Sequence, residues 1–269
     1  MNERSLLYVP GHKPQMFAKA AAAGADGIIL DLEDAVPPSA KDAARQSVCA
    51  WLNARPSTPP VVWVRVNGGE LLIEDARAVA GAPVDGIYVP KATVESLERM
   101  DAILDARDVP LTALVESAAG VLEARDIAAH PRVARLAIGE ADLCGELGIV
   151  SGDDAREMIP MRMQVVLASA AAGLEPPVGP VSTDFRDLDA LRASTESIRR
   201  MGFGGRAAIH PAQVAPINDA FTPSEEEVAA ARRLLERFEA AGGGVTTGED
   251  GRMIDEAFVR AARRTLARV

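Results

Sequence analysis

Lysine is scarce in this chain: positions 13, 19, 41 and 91 hold the four lysines among 29 basic side chains, and the rest are arginine. Against those 29 bases stand 39 acids, for a formal charge of −10. A basic footprint is missing, which excludes non-specific nucleic-acid binding. Cysteine is scarcer still, with Cys49 and Cys144 the only two. They form neither a disulfide framework nor a metal-ligand spacing, so a reducing cytoplasm is the expected compartment. No apolar run approaches the roughly 18 residues of a membrane span. The opening residues, Met-Asn-Glu-Arg-Ser, carry no apolar signal region. No glycine-rich dinucleotide fingerprint follows a strand-like run and nothing marks a switch point, which argues against a doubly wound open sheet.

What is present is one phrase repeated: an apolar run, a polar or charged residue, a helix. Ile28-Ile-Leu-Asp-Leu-Glu-Asp-Ala-Val-Pro-Pro38 states it most plainly. A strand buried on both faces reads as a continuous apolar run, and here it breaks into Asp31, Glu33 and Asp34. Two prolines stop it. Ser39 with Asp42 three residues on then reads as a capping box for the next helix. Strands are expected over 5–9, 27–32, 61–66, 86–90, 111–115, 133–138, 177–182 and 205–209. Helices are expected over 14–23, 39–54, 71–80, 94–106, 120–129, 154–172 and 187–201. The helix over 154–172 reads as the longest, with Met158, Met161 and Met163 as core residues. Eight alternating units predict an α/β fold, a (β/α)8 TIM barrel spanning 1–221. Residues 222–269 exceed what a barrel needs. They read as a C-terminal helical extension: a helix over 223–240, a flexible glycine-rich connector over 242–251, and a last helix over 256–267 with Phe258, Ala261 and Leu266 on one face. Such an extension suits a lid or an arm reaching a neighbouring subunit.

In a TIM barrel the polar residues at the carboxyl ends of strands line the active site. Those ends supply Asp31, Glu33, Asp34, Arg65, Lys91, Glu116, Asp142 and His210. Glu116 and Asp142 read as ends of adjacent strands, so their carboxylates can converge on Mg²⁺, which takes one or two carboxylates plus substrate oxygens. No His or Cys is read as standing near either acid, which disfavours zinc. A structural ion network with Arg65 and Lys91 is the competing reading of the same acids. Arg65 offers a planar fork for a carboxylate or enolate oxygen. Lys13 and Lys19, near a helix start, suit phosphates or a solvated surface. His210 suits a ligand contact or a capped core position equally, and Cys144 a packed small side chain.

The strings Tyr8-Val-Pro-Gly11, Asp31-Leu-Glu-Asp-Ala35, Arg65-Val-Asn67, Val89-Pro-Lys91, Glu116-Ser-Ala-Ala-Gly120, Gly139-Glu-Ala-Asp-Leu143, Gly204-Gly205 and Ile209-His-Pro211 resemble, in order, the citrate lyase β-subunit-like CoA-ester lyases of the HpcH/HpaI aldolase family. The resemblance runs from about residue 4 to residue 260. It implies a cytoplasmic, magnesium-dependent lyase that breaks or forms a carbon–carbon bond in a 3-hydroxyacyl-CoA, with an acyl-CoA and a keto acid as small-molecule partners. Within it, Glu116 and Asp142 match metal ligands and Arg65 matches the arginine that holds substrate, with Glu33 beside it in the substrate site. Tyr8, Lys13, Lys19, Ile209, His210 and Pro211 match positions that contact the CoA thioester. Asp255 matches a catalytic aspartate contributed by an adjacent subunit of a homo-oligomer, a trimer or a multiple of one. Gly179-Pro180-Val181 departs from the Asp-x-Val of many members, and Gly68-Gly-Glu-Leu71 lacks the proline common after strand three. Two other readings of the chain are a pyruvate-type aldolase that needs no CoA and a ligand-binding homologue without activity.

Overall fold

The computed structural model describes residues 3–55, 60–242, 244–248, 251 and 253–269. The chain forms two compact units, Met1–Asp219 and Ala220–Val269.

The first unit is a closed barrel of eight parallel strands in chain order, the last pairing back with the first. The strands are β1 (Ser5–Pro10), β2 (Gly27–Asp31), β3 (Val61–Arg65), β4 (Gly86–Val89), β5 (Leu111–Val115), β6 (Val133–Ile138), β7 (Glu175–Gly179) and β8 (Gly205–Ala208). Between them run α1 (Phe17–Ala21), α2 (Lys41–Ala54), α3 (Leu72–Ala80), α4 (Val94–Leu104), α5 (Ala118–Leu122), α6 (Ala124–Ala128), α7 (Glu140–Leu147), α8 (Ile159–Ala171) and α9 (Leu188–Met201), with α10 (Val214–Phe221) closing the series. This is the (β/α)8 barrel that the alternation of runs predicts.

Strand periodicity builds its interior. Every second side chain of a strand points to the same side. Leu6, Ile29, Trp63, Tyr88, Leu114, Ala137, Val178 and Ala207, one from each strand, accordingly form a single buried cluster. Trp63 meets Tyr88 edge to face, 5.5 Å between ring centres, the arrangement the ring quadrupoles favour. Room for the indole comes from Gly86, where a Cβ would lie 2.1 Å from the Trp63 ring. Two residues before the cluster on β6, Arg135 is buried in an ion pair with Glu3, 3.1 Å apart. Two residues after the cluster, at the carboxyl ends, the site begins.

Several expected elements differ. Strand β7 lies at Glu175–Gly179 rather than 177–182. Gly179 does not interrupt it; the glycine lets α9 approach, since a Cβ there would sit 2.3 Å from Ile198 Cδ1. Ser39 caps nothing. The prolines start the helix instead, with Pro37 at the N-cap of a 3-10 turn over Pro38–Ala40 that runs into α2. The helix expected over 120–129 is two short ones, α5 and α6, joined through Glu123. Over 154–172 the helix proper is α8, preceded by a 3-10 turn over Arg156–Met158. Of the methionines expected in the core, Met158 in that turn is fully buried, whereas Met161 and Met163 of α8 are half-buried. Helices α7 and α10 were not expected.

The second unit holds α11 (Glu225–Ala240), β9 (Thr246–Thr247), β10 (Met253–Ile254) and α12 (Glu256–Leu266). Ser224 and Glu227 form a reciprocal capping box on α11, which at 16 residues is longer than the 13 of α8. The connector is not simply flexible. Its β-branched residues pair antiparallel with the segment before α12, Thr247 with Met253 and Thr246 with Ile254; Gly243, Glu249 and Asp250 lie outside the described residues. Phe238, Ile254 and Val259 form the core of this unit. The inward face of α12 is therefore Val259 and Ala262, while Phe258 is 47% exposed and Ala261 is exposed too.

Candidate active site

Two positions beyond the inward cluster, the strands present Tyr8, Asp31, Arg65, Glu116, Gly139, Pro180 and Ile209, and all of them line one cavity of about 570 Å³. The placement follows from the two-residue repeat alone, and it puts the cavity at the carboxyl ends of the strands, where TIM-barrel sites lie.

Arg65 is the most constrained side chain there. Asp31 accepts two parallel bonds from it, Nε to Oδ1 at 2.7 Å and Nη2 to Oδ2 at 2.8 Å, the bidentate geometry a guanidinium suits. Asp31 also accepts the backbone N–H of Glu33 and of Ala35, so the carboxylate holding Arg65 is itself held. Arg65 Nη1 stands 2.7 Å from Glu33 Oε2 and 3.6 Å from Asp34. Its guanidinium lies 5.0 Å from the centre of the Tyr8 ring, within cation–π range. Burial raises the Tyr8 hydroxyl well above its usual pKa, so it stays protonated.

The acids form the other half. Glu116, 3% exposed, follows β5 directly and accepts the backbone N–H of Lys91 at 2.8 Å. Lys91 adopts a positive φ of 44°, a conformation that costs a non-glycine residue energy and clusters at functional sites. Burial, and then the charge of Glu33, push the Glu116 carboxyl up to about 8, with Asp142 adding to the rise. Burial first, and then Asp34 against the opposing pull of Arg65, lift Glu33 to about 6. Gly139 leaves space for Glu116, because a Cβ there would fall 2.5 Å from Glu116 Oε2.

Asp142 is not at a strand end. It sits half-buried in the first turn of α7 and still lines the cavity with Glu116. Strand six, which ends at Ile138, therefore does not deliver Asp142. Glu140, the first residue of α7, is bound by Arg162 of α8 at 2.5 and 2.8 Å and lines the cavity as well. A cysteine does stand beside the acids, contrary to expectation. Cys144, two residues on from Asp142 in α7, lines the same cavity, its sulfur 3.6 Å from that of Met158.

The donor set suits Mg²⁺. Two carboxylates, one of them buried and driven toward protonation by its acidic neighbours, open onto a cavity with room for substrate oxygens, the mode in which Mg²⁺ usually binds. Among the described residues no group of three or more His, Cys, Asp or Glu side chains is arranged as a metal cage, so a cation here would complete its shell from solvent and substrate.

The remaining expected site residues are dispersed. Tyr8, Arg65, Glu116, Asp142 and Ile209 share the cavity. Glu33 lines a separate cleft of about 410 Å³ with Lys41, Asn67 and Lys91, and its other oxygen is 3.6 Å from the Lys91 ammonium. Lys13 is exposed at the N-cap of the short turn Pro14–Met16, and Lys19 is exposed on α1. His210 is exposed rather than core. Its Nδ1 accepts the N–H of Ala212 to cap the turn Pro211–Gln213, and its ring stacks on Phe185 at 4.7 Å. Asp255 belongs to the second unit, where Oδ1 accepts the N–H groups of Ala257 and Phe258 and caps α12. The sequence reading missed Asp31 as the partner of Arg65 and missed the part played by Lys41. For Asp31 the signal was available: an acid and a guanidinium at matching ends of neighbouring strands, paired in register.

A family model described as HpcH/HpaI aldolase/citrate lyase matches residues 4–211. A (3S)-malyl-CoA thioesterase of Cereibacter sphaeroides is 40% identical over 98% of this chain and 94% of its own length. An L-malyl-CoA/beta-methylmalyl-CoA lyase of the same species is 32% identical over 96% of this chain and 92% of its own. Among solved structures, the protein CitE of Mycobacterium tuberculosis in complex with magnesium, acetoacetate and coenzyme A superposes with a TM-score of 0.83, at 32% identity, over 98% of this chain and 97% of that one.

Proposed function

This chain belongs to the HpcH/HpaI aldolase/citrate lyase family, and we propose that it is a magnesium-dependent CoA-ester lyase that cleaves, or in reverse forms, the carbon–carbon bond of a 3-hydroxyacyl-CoA of the malyl-CoA type. The observation that carries this reading is the convergence of Arg65, Glu116 and Asp142 on one cavity at the carboxyl ends of the strands.

In the cleavage direction the substrate's 3-hydroxyl loses its proton and becomes the carbonyl of a keto acid. The bond between C2 and C3 breaks, its electron pair passes into the thioester as an enolate, and a proton returned to C2 gives acetyl-CoA. Arg65 serves the charged oxygens. Two of its five N–H donors are committed to Asp31 and one nitrogen faces Glu33, which aims the rest of the fork at a ligand carboxylate or enolate. Asp31 and the Tyr8 ring keep that aim from drifting. Glu116 and Asp142 would hold Mg²⁺, which supplies Lewis-acid polarisation of the substrate oxygen when bound. The side chains Ile138, Val178 and Ile209 would give the enolate an apolar wall. Asp255, contributed by a neighbouring copy of the chain, would exchange the proton at the methyl carbon. Tyr8, Lys13, Lys19 and the segment 209–211 would meet the CoA moiety, and Glu33 would flank the acyl group through Arg65.

Thioester hydrolysis is the second reading, favoured by the name of the 40% identical relative. A panel of malyl-, methylmalyl-, citramalyl- and citryl-CoA, incubated with Mg²⁺ and assayed for both keto acid and free thiol, separates the two. The lyase reading expects keto acid without thiol; thiol in the absence of keto acid overturns it in favour of hydrolysis. Cleavage of the free hydroxy acids at the same rate would instead make the protein an aldolase that ignores CoA.

A further inference from the structure

The loop that carries Glu33 and Asp34 is tied down by a lysine that none of the chemistry above uses. Lys41 opens α2, and its Nζ donates to Leu32 O at 2.7 Å, to Glu33 O at 2.7 Å and to Asn67 Oδ1 at 2.6 Å. An ammonium has three donors, and three oxygens converge on this one.

The partners are fixed in turn. The Asn67 side chain spends its own donors on Leu32 O at 2.9 Å and Asp75 Oδ2 at 2.6 Å, and its backbone N–H also reaches Asp75 Oδ2 at 2.8 Å. The orientation of its amide is dictated chemically, since an ammonium only donates and a carboxylate only accepts. Asp75, 1% exposed on α3, is closed off by Arg45 of α2 through a bond of 2.6 Å. The path runs from α3 through Asn67 and Lys41 to the carbonyls of 32 and 33, beside the Glu33 carboxylate that stands 2.7 Å from Arg65.

We propose that Lys41 is a positioning residue for the reaction. By gathering the Leu32 and Glu33 carbonyls onto Asn67, it fixes Glu33 against Arg65 and so adds a third restraint, beside Asp31 and Tyr8, on where the substrate-holding guanidinium points. The choice of side chain argues for this. Lysine occupies four of 29 basic positions in the chain, and a planar guanidinium cannot direct three N–H bonds from one nitrogen toward oxygens on three sides. The proposal rests on the reading of Arg65 as the substrate-holding residue, and its test separates the two.

The experiment compares wild type with Lys41→Met and Lys41→Arg, each also in a Glu33→Gln background, by steady-state kinetics on malyl-CoA with Mg²⁺ and by amide hydrogen exchange over 32–36. A geometry error at Arg65 predicts a fall in kcat of about 10- to 100-fold with little change in KM for either lysine variant. In the Glu33→Gln background the further loss should shrink to within about twofold, because the groups act through one another. Exchange over 32–36 should quicken in both lysine variants. Should Lys41→Met not fold, Lys41→Arg carries the same two measurements. An equal loss in both backgrounds, or unchanged exchange over 32–36, overturns the assignment. Wild type inert toward malyl-CoA and the other thioesters of the panel above, with exchange still quickened in the variants, would sink the lyase reading while supporting the role of Lys41 in holding the loop.

Discussion

Arg65 shows how little of its role resides in charge. The guanidinium is held bidentate by Asp31, faced by Glu33 and laid over Tyr8. Lysine would keep the charge and lose the fork. Arg65→Lys should lower kcat by about two orders of magnitude, the scale of one lost oxyanion donor; kinetics within a few-fold of wild type would reduce Arg65 to an electrostatic neighbour. Glu116 makes a different prediction, about pH. In the metal-free protein burial and its acidic neighbours raise it from an ordinary 4.5 to about 8. The folded state then binds the proton more tightly than the unfolded chain. That contribution to stability is complete below about pH 4.5 and is lost as pH rises through about 8. Glu33, raised to about 6, acts in the same direction. With a chelator present, Tm should therefore fall as pH rises from about 5 to about 8. Glu116→Gln should flatten that fall, and Mg²⁺ should oppose it in wild type alone. An identical slope in wild type and Glu116→Gln would remove Glu116 from the account.

The elements reveal what a sequence can and cannot state about this site. Strands β3 and β5 were legible because a strand covered on both faces is a near-continuous apolar run, and the polar residue closing each run pointed to the rim. Arg65 and Glu116 were found that way. Asp142 was placed on a strand end because Gly139 hides the boundary: six residues of β6 end at Ile138, and α7 starts at once without a side-chain cap. Helix α7 carries no Ser, Thr or Asn signal, so it could not be read. Nor could the Glu140–Arg162 pair, which depends on how α7 meets α8. Nothing in the sequence tells what the strand glycines do, whereas in the barrel Gly86 and Gly179 make room for Trp63 and Ile198. Gly86→Ala tests that reading. Its Cβ would fall 2.1 Å from the Trp63 ring, and overpacking of this kind costs about 1–3 kcal/mol. For a chain of this size that lowers Tm by roughly 2–4 °C per kcal/mol, with turnover at the far rim little changed. An unshifted Tm would mean that the indole relaxes freely.

At the scale of the whole molecule, the second unit has its own core of Phe238, Ile254 and Val259, and the hairpin before α12 gives Asp255 a defined backbone in that unit. A shared site, with Glu116 and Asp142 from one chain and Asp255 from the next, predicts complementation. Asp142→Ala and Asp255→Ala chains should each be inactive alone, and mixed oligomers formed by subunit exchange should regain part of the activity. No recovery in verified mixed oligomers would confine Asp255 to its own chain or to the capping of α12. The central claim, that the cavity between Arg65, Glu116 and Asp142 breaks a carbon–carbon bond, meets its most direct test in the products formed from malyl-CoA in ¹⁸O-labelled water, with Mg²⁺ and with a chelator, analysed by mass spectrometry. The account predicts acetyl-CoA with an unlabelled thioester carbonyl, formed only when Mg²⁺ is present and lost in Glu116→Ala and Asp142→Ala. Free CoA together with malate carrying ¹⁸O in its new carboxylate would contradict it.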